Sequence, residues 1–218
     1  MRRTLGLATL AANAAFVALV GVAMARYPGG TWFDPRATGH DFWRNYLCDL
    51  LHSHGLDGRP NPGATLALIG MIAGILSLAL AFFSLPEVSA RTAARWTRRI
   101  GAPAALGILI VPLLPSDRFP FVHGVAVVAT GVPAFGGLVL ALRALSARRV
   151  LFGIGLLLLL SSGADFVLYV WDQFLGGEIV VLSPALQRVA TLVLIAFTTA
   201  IAIATLRAQS GVARGGPT

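Results

Sequence analysis

Three short stretches hold most of the residues whose types and spacing could do chemistry. The first is Asp41-Phe-Trp-Arg-Asn45-Tyr-Leu-Cys-Asp49-Leu-Leu-His52. Asn45, Asp49 and His52 stand at i, i+4 and i+7, one face of a helix, with Phe42, Tyr46 and Leu50 on another. This pattern predicts an amphipathic helix at a membrane interface, its polar face either solvated or closing over a polar pocket. The second, Pro115-Ser-Asp117-Arg-Phe-Pro-Phe-Val-His123, reads as a tight turn into a helix. The helix dipole disfavours a cation in a first turn, so His123 is expected to be neutral and able to bond or ligate. Asp117 would cap the same helix or pair with Arg118.

The third stretch is Ser161-Ser-Gly-Ala-Asp165-Phe-Val-Leu-Tyr169-Val-Trp-Asp172, in which Ser161, Asp165, Tyr169 and Asp172 share one helical face. Asp165 falls inside an otherwise apolar segment. A carboxylate at mid-helix costs ~2.5–3.5 kcal/mol on insertion scales and normally faces the bundle interior with a partner. Arg188 is the most available cation for it, ahead of His123 and His52, because the loop between their two segments is short. A structural clamp between helices and a functional carboxyl are both open readings. Asp49, His52, Asp117, His123 and Asp165 are thus the candidates for general acid–base work. Asn45, Asp49, Asn61, His123, Asp165, Tyr169 and Arg188 are the candidates for binding a ligand. A zinc site would have to combine His52 or His40 with His123 and Asp117, without the close spacing that marks zinc motifs, so no cofactor is expected.

The elements that must position these groups follow from composition. The chain has 218 residues, 56% of them hydrophobic and 12% charged, with a mean hydropathy of +0.79. A soluble domain carries about 25% charged residues, so this chain lacks a polar coat. A soluble enzyme, a disordered chain and a disulfide scaffold are excluded, the last also because Cys48 is the single cysteine. Six apolar segments stand out at 5–25, 64–85, 100–114, 122–142, 150–170 and 186–206. They predict one all-α transmembrane domain, a six-helix bundle spanning residues 1–218, with a single long loop at 26–63. The third segment is short and should be irregular where Pro112 and Pro115 fall. The first also resembles a signal peptide with Ala23-Met-Ala25 as its cleavage site, but its length favours a retained helix.

The net charge of +8 does not mark a nucleic-acid partner. All 17 basic residues are arginines, and they sit at the ends of apolar segments rather than in one patch. Arg2, Arg3, Arg91, Arg95, Arg98, Arg99, Arg143, Arg148, Arg149, Arg207 and Arg214 fall on one side with Glu87, and the other eight acids fall on the opposite side. The positive-inside rule then places both termini in the cytoplasm and the 26–63 loop outside. Gly70 and Gly74 form a small-residue face for close helix contact, through which a second copy could also dock, and Pro133 should kink the fourth helix. The lysine-free, Ala- and Gly-rich composition points to a high-GC bacterium and hence to its inner membrane.

Asn45-Tyr-Leu-Cys-Asp49-Leu, Gly58-Arg-Pro-Asn61-Pro before a glycine-containing helix, and Pro115-Ser-Asp117 followed by His123 resemble a bacterial six-helix membrane family of unknown function. That family is similar to the Frag/DRAM/Sfk-type membrane proteins, and the resemblance spans roughly residues 5–206. It implies an outward polar cluster of Asp49, Asn61, Asp117 and His123, but no reaction. The family's usual Ser-Asp-Leu-Gly is Cys48-Asp-Leu-Leu51 here. A looser likeness to the alkaline-ceramidase type of metal-dependent hydrolase lacks that type's late H-x-x-x-H pair. The expectation is a protein that binds a lipid or small amphiphile in an outward polar pocket. An intramembrane lipid hydrolase using Asp and His, or a proton-coupled transporter using Asp165, are the alternatives. Membrane lipids are the expected partners.

Overall fold

The computed structural model describes residues 2–176 and 182–214. Five long helices dominate it: α1 (Arg2–Arg26), α2 (Ala64–Val88), α6 (Pro120–Leu145), α7 (Arg149–Phe174) and α8 (Leu182–Arg214). All five are long and apolar enough to cross a bilayer, and the chain is an all-helical, multi-pass membrane protein. Each is longer at its ends than its apolar core, because the flanking arginines and aromatics continue the helix.

The segment from Thr92 to Leu113 is not one helix. It comprises α3 (Thr92–Trp96), a π-helical turn (Thr97–Gly101), α4 (Ala102–Gly107) and α5 (Ile110–Leu113). Two prolines account for the breaks. Pro103 has no N–H to offer the carbonyl of Arg99, and the π turn lies there; Pro112 stands in the same relation to Ile108, beside the gap between α4 and α5. The irregularity expected only near Pro112 thus extends back to Thr97. Pro133, by contrast, lies within α6 without interrupting it. At the π turn the backbone crosses α6 closely. A Cβ on Gly137 would stand 2.8 Å from the Gly101 Cα, so position 137 requires glycine.

The broken segment still runs from one end of the bundle to the other. At one end Glu87 pairs with Arg2 and, at 2.9 Å, with Arg98, while Ser89 Oγ donates to the Ala144 carbonyl. At the other end Ser116 and Asp117 meet His52 and Ser53 of the long loop. At the arginine-rich end Gly6 of α1 also lies against Leu206 of α8.

Helix packing uses small residues and buried polar contacts. The Gly70/Gly74 face is filled within the chain by Val20 and Phe16 of α1. Asn13 of α1 donates to Thr198 at 2.9 Å and Thr199 at 3.0 Å on α8, a buried polar tie of the kind that hydrocarbon favours. The apolar core gathers Phe82 and Leu85 of α2, Leu138 and Leu145 of α6, Leu158 of α7 and Phe197 and Ile201 of α8.

The loop between α1 and α2 is an ordered cap, but not the amphipathic helix its spacing suggested. Residues 41–47 form turns, and only Cys48–Leu51 makes a single 3₁₀ turn. The cause is competition for backbone donors. Asp41 Oδ1 accepts the N–H groups of Trp43 and Arg44, Asn45 Oδ1 accepts that of Asp41, and Asp49 Oδ2 accepts that of Tyr46. The polar residues that defined the helical face hold turns instead. Gly30, at φ +84°, brings its backbone against Leu56 and Asp57, where a Cβ would stand 2.5 Å from the Asp57 nitrogen.

Candidate functional site

Two adjoining cavities lie beneath and beside this cap. The outer one, about 690 Å³, is bounded by the 3₁₀ turn and following loop, the turn into α6 and the end of α7. Asp49, His52, Ser116, Asp117, His123 and Asp172 all line it. The inner one, about 320 Å³, is enclosed by α2, the α4–α5 segment, α6, α7 and α8. Its wall is mostly apolar, with Phe82, Leu138, Phe166 and Leu194 among the lining residues and Asp165 as its single carboxyl. Cys48 and Tyr169 line both and form the shared wall.

Asp49 is 2% exposed and fully engaged. It accepts hydrogen bonds from Trp32 Nε1 at 3.1 Å, Asn45 Nδ2 at 3.2 Å and the Tyr46 N–H at 2.8 Å. Burial pushes its carboxyl above the ordinary range, against the opposing pull of His52 and these donors. His52, also buried, bonds through Nε2 to Ser116 Oγ at 2.8 Å. Asp117 Oδ2 accepts both the N–H and the hydroxyl of Ser53 at 3.0 and 3.1 Å, latching the loop to the turn before α6. Burial alone would raise the Asp117 carboxyl, but the Ser53 N–H and the positive field of His52 outweigh it and hold it low. It therefore neither caps α6 nor pairs with Arg118, the two roles its place in the turn suggested. His123 bonds through Nδ1 to the Leu114 carbonyl at 2.6 Å. In the neutral ring that leaves Nε2 unprotonated on the cavity side.

Asp49, Asp117 and His123 thus share the outer cavity, while Asp165 lines the inner one. Asp165 makes no ion pair and no side-chain hydrogen bond among the described residues, and Arg188 is not its partner. Arg188 is 2% exposed and turned into the cap: it donates to the carbonyls of Phe42 and Asn45, both at 2.8 Å, and meets His40 Nε2 at 3.1 Å. Three unsatisfied loop acceptors are stronger partners for a guanidinium than one carboxylate across the bundle. Asn45 and Asn61 are likewise internal fasteners rather than lining groups. Asn45 donates to the Gly30 carbonyl; Asn61 donates to the carbonyls of Leu50 and His52. On α7 it is Ser162, not Ser161, that lines the inner cavity, because Ser161 bonds back to the Leu157 carbonyl.

His52, His123 and Asp117 do not close into a metal set: no group of three His, Cys, Asp or Glu among the described residues is disposed to hold an ion. Burial and the neighbouring Asp49 push the Cys48 thiol up to about 12, so it lines the wall as a protonated group. Ser116, Ser53, Trp32 and Gln187 carry no signal in the sequence. Gln187 Oε1 accepts the Leu47 N–H at 2.6 Å and pins the cap to α8. Nothing local marks such residues, whose partners lie 17 to 140 positions away. No family model, curated protein or solved structure matches the chain.

Proposed function

We propose that this protein binds a lipid or small amphiphile, its polar head in the outer cavity and its apolar chain in the inner one. The observation that carries the reading is the shared wall at Cys48 and Tyr169 between a cavity rich in Asp, His and Ser and a mostly apolar chamber. A ligand of matching polarity gains on both sides, since the chain buries apolar surface while the head meets fixed donors and acceptors. We also infer that the arginine-rich end is cytoplasmic, so that the outer cavity opens away from the cytoplasm of a bacterial inner membrane.

Filling the inner chamber tests the reading. Ala134 lines it from α6, and an indole there displaces ligand chain. Excluding about two methylenes, at ~0.8 kcal/mol each, weakens binding roughly tenfold. Native mass spectrometry with an added monoalkylglycerol ether should show one bound molecule on the wild type and about tenfold lower occupancy on Ala134→Trp. Equal occupancy on both would place the amphiphile elsewhere.

A further inference from the structure

We propose that Ser116 and His52 form a nucleophile–base dyad that cleaves a carboxylic ester held in the outer cavity. The inference rests on the amphiphile reading, because the ester is taken to be the head-to-chain linkage of that ligand. Four observations meet at one place. Ser116 Oγ lies 2.8 Å from His52 Nε2, within reach for proton transfer. Both side chains line the outer cavity, where a substrate carbonyl and water can reach the hydroxyl. His52 is held by its surroundings: its N–H donates to the Asp49 carbonyl at 3.2 Å, and its own carbonyl accepts from Asn61 at 3.0 Å. Among the described residues the Asp117 N–H, next after Ser116, donates to no group in the chain. It is therefore open to a developing oxyanion.

The chemistry balances with water as the only co-reactant. Ser116 Oγ attacks the ester carbonyl carbon as His52 Nε2 takes its proton, forming a new C–O bond and an oxyanion. Collapse breaks the original ester C–O bond, and His52 returns the proton to the departing alcohol. Water then attacks the acyl-serine carbon, with His52 again taking the proton, and the acid leaves as Ser116 recovers its hydrogen. Ser116 and His52 are the catalytic residues; the Asp49 carbonyl and the Asn61 side chain hold the His52 backbone.

A fluorophosphonate probe on the full chain in detergent decides the matter. Its phosphorus should bond to Ser116 Oγ with loss of fluoride, read as an adduct on the peptide containing Ser116. Ser116→Ala should show no adduct, and His52→Gln should label at least about a hundredfold more slowly, the usual scale of base assistance. Ser146→Ala, at the opposite end, should label like the wild type. A monoalkylglycerol ether, which carries no ester to cleave, should be held by the wild type in native mass spectrometry. No adduct on a wild type that still holds the ether would overturn the dyad and leave the binding reading intact. An adduct on another serine, or equal rates in wild type and His52→Gln, would also overturn it. Absence of both adduct and bound ether would reject both readings.

Discussion

Arg188→Gln should unfold roughly 10 °C below the wild type in detergent, while Asp165→Asn should unfold within about 2 °C of it, at ~2–4 °C per kcal/mol for a chain of this size. The two residues are the obvious ion pair on sequence, and the structure separates them. Arg188 holds the carbonyls of Phe42 and Asn45 and faces His40. Removing it leaves those buried acceptors without a charged donor, at ~1.5–3 kcal/mol each. Asp165 has no partner among the described residues, and an amide has nearly the shape of the protonated acid. Scanning fluorimetry on the two variants gives the answer directly. Matched losses in both would mean that they do pair, and that the cap is held in some other way.

The cap should also be acid-labile through His40. Burial first, then the neighbouring Arg188 guanidinium, lowers its pKa from 6.5 to about 4, against a smaller opposite pull from Asp41. The Tyr27 ring packs edge-on against it at 5.6 Å. A depressed folded-state pKa means that the unfolded chain binds the proton more tightly. The stability it contributes is full above 6.5 and is lost as pH falls through 6.5 towards about 4. The whole loss across that window is about 3 kcal/mol, because each tenfold difference in proton affinity between the two states is worth ~1.4 kcal/mol. A protonated ring can no longer accept from Arg188, and it places a second cation beside the guanidinium. His40→Gln keeps an acceptor without the titration. Its unfolding temperature between pH 7 and 4.5 should fall several degrees less than that of the wild type. Parallel curves would show that His40 is not the group responsible.

The helical architecture was legible because hydrocarbon thickness imposes it: an apolar run of about 20 residues has few other uses. The five unbroken spans were readable for that reason, and the asymmetry of arginines marked which ends belong together. The third span was legible only in part. Pro112 announced its own break, and Pro103 accounts for the π turn in the same way; only the close crossing of Gly101 over Gly137 there is a tertiary contact without a local trace. Asn45, Asp49 and His52 have helical spacing, but Asp41, Asn45 and Asp49 bind nearby backbone N–H groups, and local side-chain bonds won over periodicity. Of the outward polar cluster that the resemblance implies, Asp49, Asp117 and His123 line one cavity and Asn61 does not, while Asp165, for which His123 and His52 were possible partners, lines the inner one. Ser116 was not readable, since its meaning depends wholly on a histidine 64 residues earlier. Arg188 misled because a cation near an acid in sequence invites pairing, while the carbonyls of an irregular loop leave no periodic trace.

One measurement tests the central claim most directly: where an amphiphile's chain lies when it is bound. A monoalkylglycerol ether carrying a diazirine near its chain terminus can be photolysed on the full-length protein in detergent and its adducts mapped by peptide sequencing. The account predicts adducts on residues lining the inner chamber, such as Thr130, Leu158, Ser162 and Leu194, and their loss in Ala134→Trp. Adducts confined to outward-facing positions such as Leu160, Val167 and Leu192, which are 52–65% exposed, would contradict it.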